Sequence, residues 1–321
     1  MTDKEKYRIF CPKELTIPVY SRDWWLDCVC GENNWNVLLY YHGDEIEAAM
    51  PIYSPVKKVI LMPEKTQTLG IWFNPKFENL NYSKNLYRKQ TICNYFIDNL
   101  PLHNYFLQKF HYSFTDWLPF YWKGFKQTTR YNYILPDILN SEKLWNDLGE
   151  NIKRNINKAK KKYNIEIRKS IPIKLFLQVN NKTYERQKMS SYHPEMLQKM
   201  IEISRSKNQG ETWGAFDKEG RLHAAVFIVW QENCAYYIAG GGDPELRNSG
   251  AHAFVLWQAI CDVAEYSYSF DFEGSMIQGV ERFFREFGAK QIPFFEISKG
   301  RLSLIKRLIM KIEYLLKNKP K

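Results

Sequence analysis

The chain has 321 residues, 45% hydrophobic and 25% charged, with a formal net charge of +11 and a sequence pI near 9.1. That length points to about two domains, and no run approaches the ~20 apolar residues of a membrane span. The first ten residues lack the apolar core of a signal peptide, so the expected location is the cytoplasm. The six cysteines form no C-x-x-C pair, and Cys28-x-Cys30 is too close for the usual zinc spacing, so no metal is expected. The basic balance suits anions in general, namely nucleic acid, phosphate-bearing cofactors and anionic lipid, and does not choose among them.

Residues 37–53, VLLYYHGDEIEAAMPIY, read as a β-hairpin: two apolar runs around a Gly-containing turn. A helix is expected near 84–98. Residues 115–125 are unusually aromatic, and Trp117, Trp122 and Lys123, with Arg130 beyond, suit a sugar or peptide acceptor bearing phosphate; a core at the interface between domains is the competing reading. Tyr131 to Leu135 reads as a strand closed by Pro136-Asp137, which places a domain boundary at 137/138. From Ser141, apolar positions Leu144, Leu148, Ile152, Ile156, Ala159 and Tyr163 predict one long helix. A strand at 165–168 and helices at 173–188 and 194–206 follow. Strands are expected at 211–216, 222–230 and 233–239, then a glycine-rich loop at Gly240-Gly241-Gly242. The chain continues with a helix at 250–265, a strand at 268–272, a helix at 278–287 and a strand at 292–297. Residues 222–228 match 46–52 at an offset of 176, a weak internal repeat of the hairpin.

The mixed order of the second half implies an α/β or α+β domain around a central sheet. Arg247-Asn248-Ser249-Gly250-Ala251-His252 resembles the Q/R-x-x-G-x-G/A turn of GNAT acyltransferases, with His252 departing from the small final residue. Asn151 to Lys160 resembles the basic helix opening the second domain of Fem-type aminoacyltransferases, a double-domain GNAT branch. Phe270-Asp271-Phe272-Glu273-Gly274-Ser275, then Gly279 to Gly288, resembles that branch's D-F-x-G strand and F-K-x-x-F-G helix. The family lysine falls on Phe284, between Arg282 and Arg285, which are candidates to replace its charge toward the acceptor. The resemblance implies two tandem GNAT-like domains, 1–137 and 138–300, each a mixed central sheet flanked by helices, followed by a tail at 301–321. It further implies transfer of an acyl group from acyl-CoA, or an aminoacyl group from tRNA, to an amine acceptor in cell-envelope or surface-polysaccharide synthesis.

In such a fold the donor's phosphates lie at a helix N-terminus, where free N–H groups and the helix dipole favour an anion. Arg247, Ser249, Gly250, Ala251 and His252 are the donor-binding candidates. Acyl transfer also needs a base for the amine proton. Asp271 and Glu273, two apart on a predicted strand, are expected on one face and are the catalytic candidates, helix capping being the bland alternative. Tyr237, on the strand before the loop, is the candidate to protonate the leaving group. No G-x-S-x-G, H-E-x-x-H, Walker A or G-x-G-x-x-G pattern is present. The tail places Leu302, Ile305, Ile309, Ile312 and Leu316 in an apolar stripe beside lysines and arginine, as for a helix lying on the inner membrane face or docking on its own protein. The rival reading keeps this fold without catalysis, as a module binding RNA or anionic lipid.

Overall fold

The computed structural model describes residues 1–187 and 193–302. The tail stripe from Ile305 onward lies outside them. The chain divides into two compact units, one of residues 1–129 joined by the chain from Phe294, the other Arg130–Pro293. Residues 130–137 therefore fold with the second unit.

The first unit contains α1 (Asp3–Phe10), α2 (Asp23–Cys30), β1 (Trp35–His42), β2 (Glu45–Val56), β3 (Val59–Leu61), β4 (Trp72–Phe73), α3 (Tyr82–Asp98), β5 (Tyr105–Lys109), α4 (Leu118–Trp122) and the start of β6 (Lys126–Leu135). The expected hairpin is β1–β2, antiparallel around Gly43-Asp44. β2 also pairs antiparallel with β3 and β4, while β3 and β5 run parallel, so the sheet is mixed. The aromatic segment contributes Phe114, Phe120 and Phe125 to this unit's core, beside Phe106 and Phe110. Large rings at such density dominate the burial that holds a unit of this size together.

The second unit holds α5 (Ser141–Asp147), α6 (Glu150–Lys161), β7 (Glu166–Lys169), α7 (Ile173–Gln187), α8 (Pro194–Ser206), β8 (Gly210–Phe216), β9 (Leu222–Trp230), β10 (Cys234–Gly242), α9 (Ala251–Val263), β11 (Ser269–Asp271), α10 (Gln278–Arg285) and the start of β12 (Lys290–Gly300). Its strands run β6-β11-β10-β9-β8-β7. β10 and β11 are parallel; the other pairs along that order are antiparallel. The second hairpin, β8–β9, turns at residues 217–221, where Asp217 accepts from the Arg221 backbone N–H at 2.8 Å.

The long helix expected from Ser141 is two helices. Leu148 and Gly149 leave the helical path, and the Gly149 N–H donates to the Glu286 carbonyl at 2.8 Å. That break lets α6 turn its buried face, Ile152, Ile156 and Ala159, onto α9. Nine of the thirteen α9 residues are buried, as for a helix covered on more than one side. Lys160, on the outer part of α6, lies 4.8 Å from the centre of the Phe254 ring.

Candidate functional site

The site begins where two strands part. β10 and β11 are paired only from Cys234–Ser269 to Tyr236–Asp271, and β10 then continues to Gly242 paired with β9 but not with β11. An extra residue, Ile238, bulges β10 against β9 between Tyr237 and Ala239; such bulges bend a strand and re-aim its side chains. Gly240, Gly241 and Gly242, expected as a loop, are the end of this strand. A Cβ on Gly241 would come within 2.6 Å of the Asn180 Cα, and one on Gly240 would overlap the Tyr237 hydroxyl. The glycines thus admit α7 and the Tyr237 side chain. Asn180 donates to the Gly240 carbonyl at 2.9 Å, and the Gly242 N–H donates to the Thr183 hydroxyl at 3.0 Å.

A cavity of about 550 Å³ lies beyond the split. Tyr237 and the three glycines of β10 form one wall, and Ala251 and His252 at the start of α9 another. α10 contributes Gly279, Val280, Phe283 and Phe284; α7 contributes Thr183 and Arg186. With Arg247, the lining carries two arginines and, among the described residues, no Asp or Glu. Gly250 caps α9 in the left-handed region at φ +79 and provides no side-chain hydrogen bond to the first turn. The Ala251 N–H donates to the Ser249 hydroxyl at 3.3 Å, which leaves the next N–H groups of that turn, those of His252 and Ala253, available to an anion. Gly250 is also where α6 presses closest: a Cβ there would overlap the Asn155 carbonyl oxygen.

Ser249 is buried beneath the turn. Its hydroxyl donates to the Leu246 carbonyl at 2.8 Å and lies 3.0 Å from His223 Nδ1. His223 Nε2 is in turn 2.9 Å from Asp217, which also takes Arg221 Nε at 2.7 Å. Burial opposes the charge on Asp217, but hydrogen bonds from His223 and Arg221 outweigh it and hold the carboxyl well below the usual range. This chain of side chains ties the turn to the β8–β9 hairpin.

The sequence candidates fall in several places. Arg247, Ser249, Ala251 and His252 line the cavity with Tyr237, and Gly250 shapes it. Asp271 and Glu273 do not share a strand face: β11 ends at Asp271, whose Oδ1 accepts the Glu273 N–H at 2.7 Å, and Glu273 sits at φ +63. This side-chain turn replaces the period-two alternation assumed for a strand. Asp271 is 1% exposed, is outside the cavity lining, and takes the Asn132 amide at 2.9 Å. Arg282 and Arg285 lie on the exposed side of α10 in ion pairs with Glu286 and Glu281, both at 2.9 Å, while Phe284 is buried. Trp117 packs against the core of the first unit; Trp122 and Lys123 are exposed, with Lys123 paired to Asp98. Arg130 opens the second unit. His223 and Arg186 are not among the sequence candidates, the one signal for them being His223's place in the repeated hairpin; Phe283 stands in the matched helix motif without a role assigned to it.

Tyr237 Oη is 3.2 Å from His252 Nε2, and the His252 ring meets Phe283 edge-on with centroids 5.6 Å apart. Burial first, and the Glu273 carboxylate second, push the Tyr237 hydroxyl well above its ordinary value. Burial, then the charge of Arg186, push the His252 imidazole down to about 4, against a hydrogen bond to the Gly241 backbone. Both side chains are therefore neutral at pH 7.

Residues 147–285 match the family model described as an acetyltransferase (GNAT) domain. This segment is similar to a GNAT domain. The chain as a whole has the fold of FemX, with TM-score 0.67 at 11% identity over 97% of this chain and 98% of that one. It is also similar to the C-terminal domain of a putative lysylphosphatidylglycerol synthetase from Agrobacterium fabrum (TM-score 0.56, 8% identity, 98% of each chain). L-PGS from Bacillus licheniformis matches with TM-score 0.52 and 13% identity, over 97% of this chain and 96% of that one. At these identities the likeness is one of fold. No curated protein matches the chain in sequence. The match to an acetyltransferase (GNAT) model supports acyl transfer in general. No helix among the described residues is long and apolar enough to cross a membrane, and among the same residues no group of three His, Cys, Asp or Glu is placed to hold a metal.

Proposed function

We propose that the protein is an N-acyltransferase that takes an acyl group from acyl-CoA, or an aminoacyl group from tRNA, and passes it to an amine acceptor. The observation that carries this reading is the cavity at the β10–β11 split. It joins an uncapped helix N-terminus and two arginines, with no acid in the described lining, to a neutral tyrosine on the strand. Phosphates of the donor fit the first end and its reactive carbonyl the second. The likeness to the domain of a putative lysylphosphatidylglycerol synthetase supports an aminoacyl donor, and the Fem-type resemblance of residues 151–160 and 270–288 suggests an acceptor from the cell envelope or a surface polysaccharide. Asp271 acts in this reading as a strut between β11 and β6, and the proton chemistry falls to the cavity side chains.

The test is thermal unfolding with acetyl-CoA or with alanyl-tRNA, at low and high salt. Acetyl-CoA at 100 times its dissociation constant adds about 2.7 kcal/mol to stability. Arg247→Ala is expected to weaken binding of the active donor about tenfold, the loss of one charged hydrogen bond. A shift by neither donor overturns the reading. Binding without transfer to any amine favours the non-catalytic module, which the buried Phe284 at the family's lysine position also favours.

A further inference from the structure

We propose that His252 acts through Tyr237 as the temporary proton store of the transfer reaction, a role that rests on the acyltransferase reading above. Both residues line the cavity, and Tyr237 Oη and His252 Nε2 stand 3.2 Å apart. In this role the ring proton of the neutral imidazole is on Nδ1 and the lone pair on Nε2, where it accepts the Tyr237 hydroxyl. The position that is Gly or Ala in the GNAT turn is thus filled by a proton acceptor reaching across to β10.

The environment explains why Tyr237 needs such a partner. A tyrosinate at this position is opposed by burial and by the Glu273 carboxylate, so Tyr237 cannot hold a negative charge while it waits for a proton. A hydroxyl that receives one proton as it gives up another carries no charge. The charged and titratable groups around the pair are Arg186 from α7, Arg247 from the turn, His223 from β9 and Glu273 after β11; α10 presents Val280, Phe283 and Phe284, none of which titrates. Arg186 keeps the stored proton labile, because it raises the energy of the imidazolium.

The step balances without a further reactant. The acceptor nitrogen attacks the donor carbonyl carbon, a C–N bond forms, and the bond from that carbon to the leaving sulfur or oxygen breaks. The proton lost by nitrogen enters the Tyr237 hydroxyl, whose own proton passes to His252 Nε2. The reverse shift, from Nε2 through the hydroxyl, delivers a proton to the leaving group. No electron is transferred, and both side chains return to their starting state.

The first test needs no substrate. Long-range proton–nitrogen spectra of the full chain labelled with 15N-histidine, with Tyr237→Phe to identify the signal, report the tautomer of His252. The expected result is a neutral ring from pH 6 to 8, protonated at Nδ1, whose Nε2 resonance moves in Tyr237→Phe. An imidazolium at pH 6, or a proton on Nε2, overturns the proposal. The second test follows transfer from acetyl-CoA and from alanyl-tRNA to glycylglycine and to hydroxylamine. His252→Gln is expected to slow transfer to glycylglycine by about 100-fold, the lower range for a positioned proton acceptor. Hydroxylamine is a weaker base, so its nitrogen is more acidic once bonded to the carbonyl carbon and gives up the proton to water more readily, and its transfer is expected to slow less. Equal rates and pH profiles for the variant and the parent protein overturn the relay and leave the acyltransferase reading standing. No transfer by the parent protein with either donor overturns that reading, and the relay with it.

Discussion

Gly250→Ala is expected to lower stability by about 3 kcal/mol and to abolish the donor-induced rise in melting temperature. Two costs add. A residue with a Cβ is strained in the left-handed region by about 1–2 kcal/mol, and Gly250 sits there at φ +79. The new methyl also meets the carbonyl oxygen, carbonyl carbon and Cα of Asn155, which are backbone atoms of α6 and cannot swing away as a side-chain tip would. Overpacking of this kind costs about 1–3 kcal/mol. Relief requires α6 to move off α9, which opens the contact made by Ile152 and Ile156, or requires the first turn of α9 to shift, which displaces the N–H groups facing the cavity. Gly220→Ala separates the two terms. Gly220 has nearly the same angle, φ +77, but nothing lies within 4 Å of its Cβ position. Urea unfolding of both variants should therefore show a loss of only about 1–2 kcal/mol at Gly220. Equal losses would mean that α6 does not press on the turn.

How far such features can be read from the chain depends on the distance over which they are decided. The hairpins β1–β2 and β8–β9 and the helices α3, α8 and α9 follow from local periodicity, and the structure has them within a few residues of the expected limits. The break at Gly149 does not, because its hydrogen bond goes to Glu286, and the apolar spacing from Leu144 to Ala159 runs through it undisturbed. The resemblance of Arg247 to His252 to the GNAT turn marks Gly250, and its positive φ shows a local demand for glycine there. The run of glycines from Gly240 to Gly242 reads as a loop, although their reason for being small is the approach of α7 and the Tyr237 ring. For Asp271 and Glu273 the alternation rule assumed a strand that the Asp271 side chain itself ends. The pairing of Tyr237 with His252 joins a strand to a helix across a turn, and no spacing rule connects them.

The pH dependence of stability offers the clearest separation between Asp271 as a strut and Asp271 as a base. Burial pushes its carboxyl up to about 7, over the opposing hydrogen bonds from the Glu273 N–H and the Asn132 amide. In the unfolded chain the same group titrates near 3.9. Between those values the folded protein keeps a proton that the unfolded chain has released, so stability falls as pH rises, by about 1.4 kcal/mol per unit, and levels off above the folded value. Asp217 and Asp243, whose carboxyls are lowered, act in the opposite sense, and their contribution is lost only as pH drops below the usual carboxylate range. From pH 5 to about 6.5 the His252 and His111 imidazoles, which burial lowers to about 4, pull the other way, so Asp271 is read from the difference between the parent protein and Asp271→Asn. Asp271→Asn is expected to remove the falling contribution and leave the rest of the curve. The new amide oxygen still accepts the Glu273 N–H, and Asn132 can turn its own oxygen toward the new amide nitrogen. By pH 7.5 the variant should be more stable than the parent protein by about 3 kcal/mol, which urea midpoints at pH 5, 6, 7 and 8 would show. Parallel curves would mean that Asp271 is ionised throughout. The same variant decides its chemical role: a strut outside the cavity leaves transfer running, whereas a base that takes the acceptor's proton leaves none.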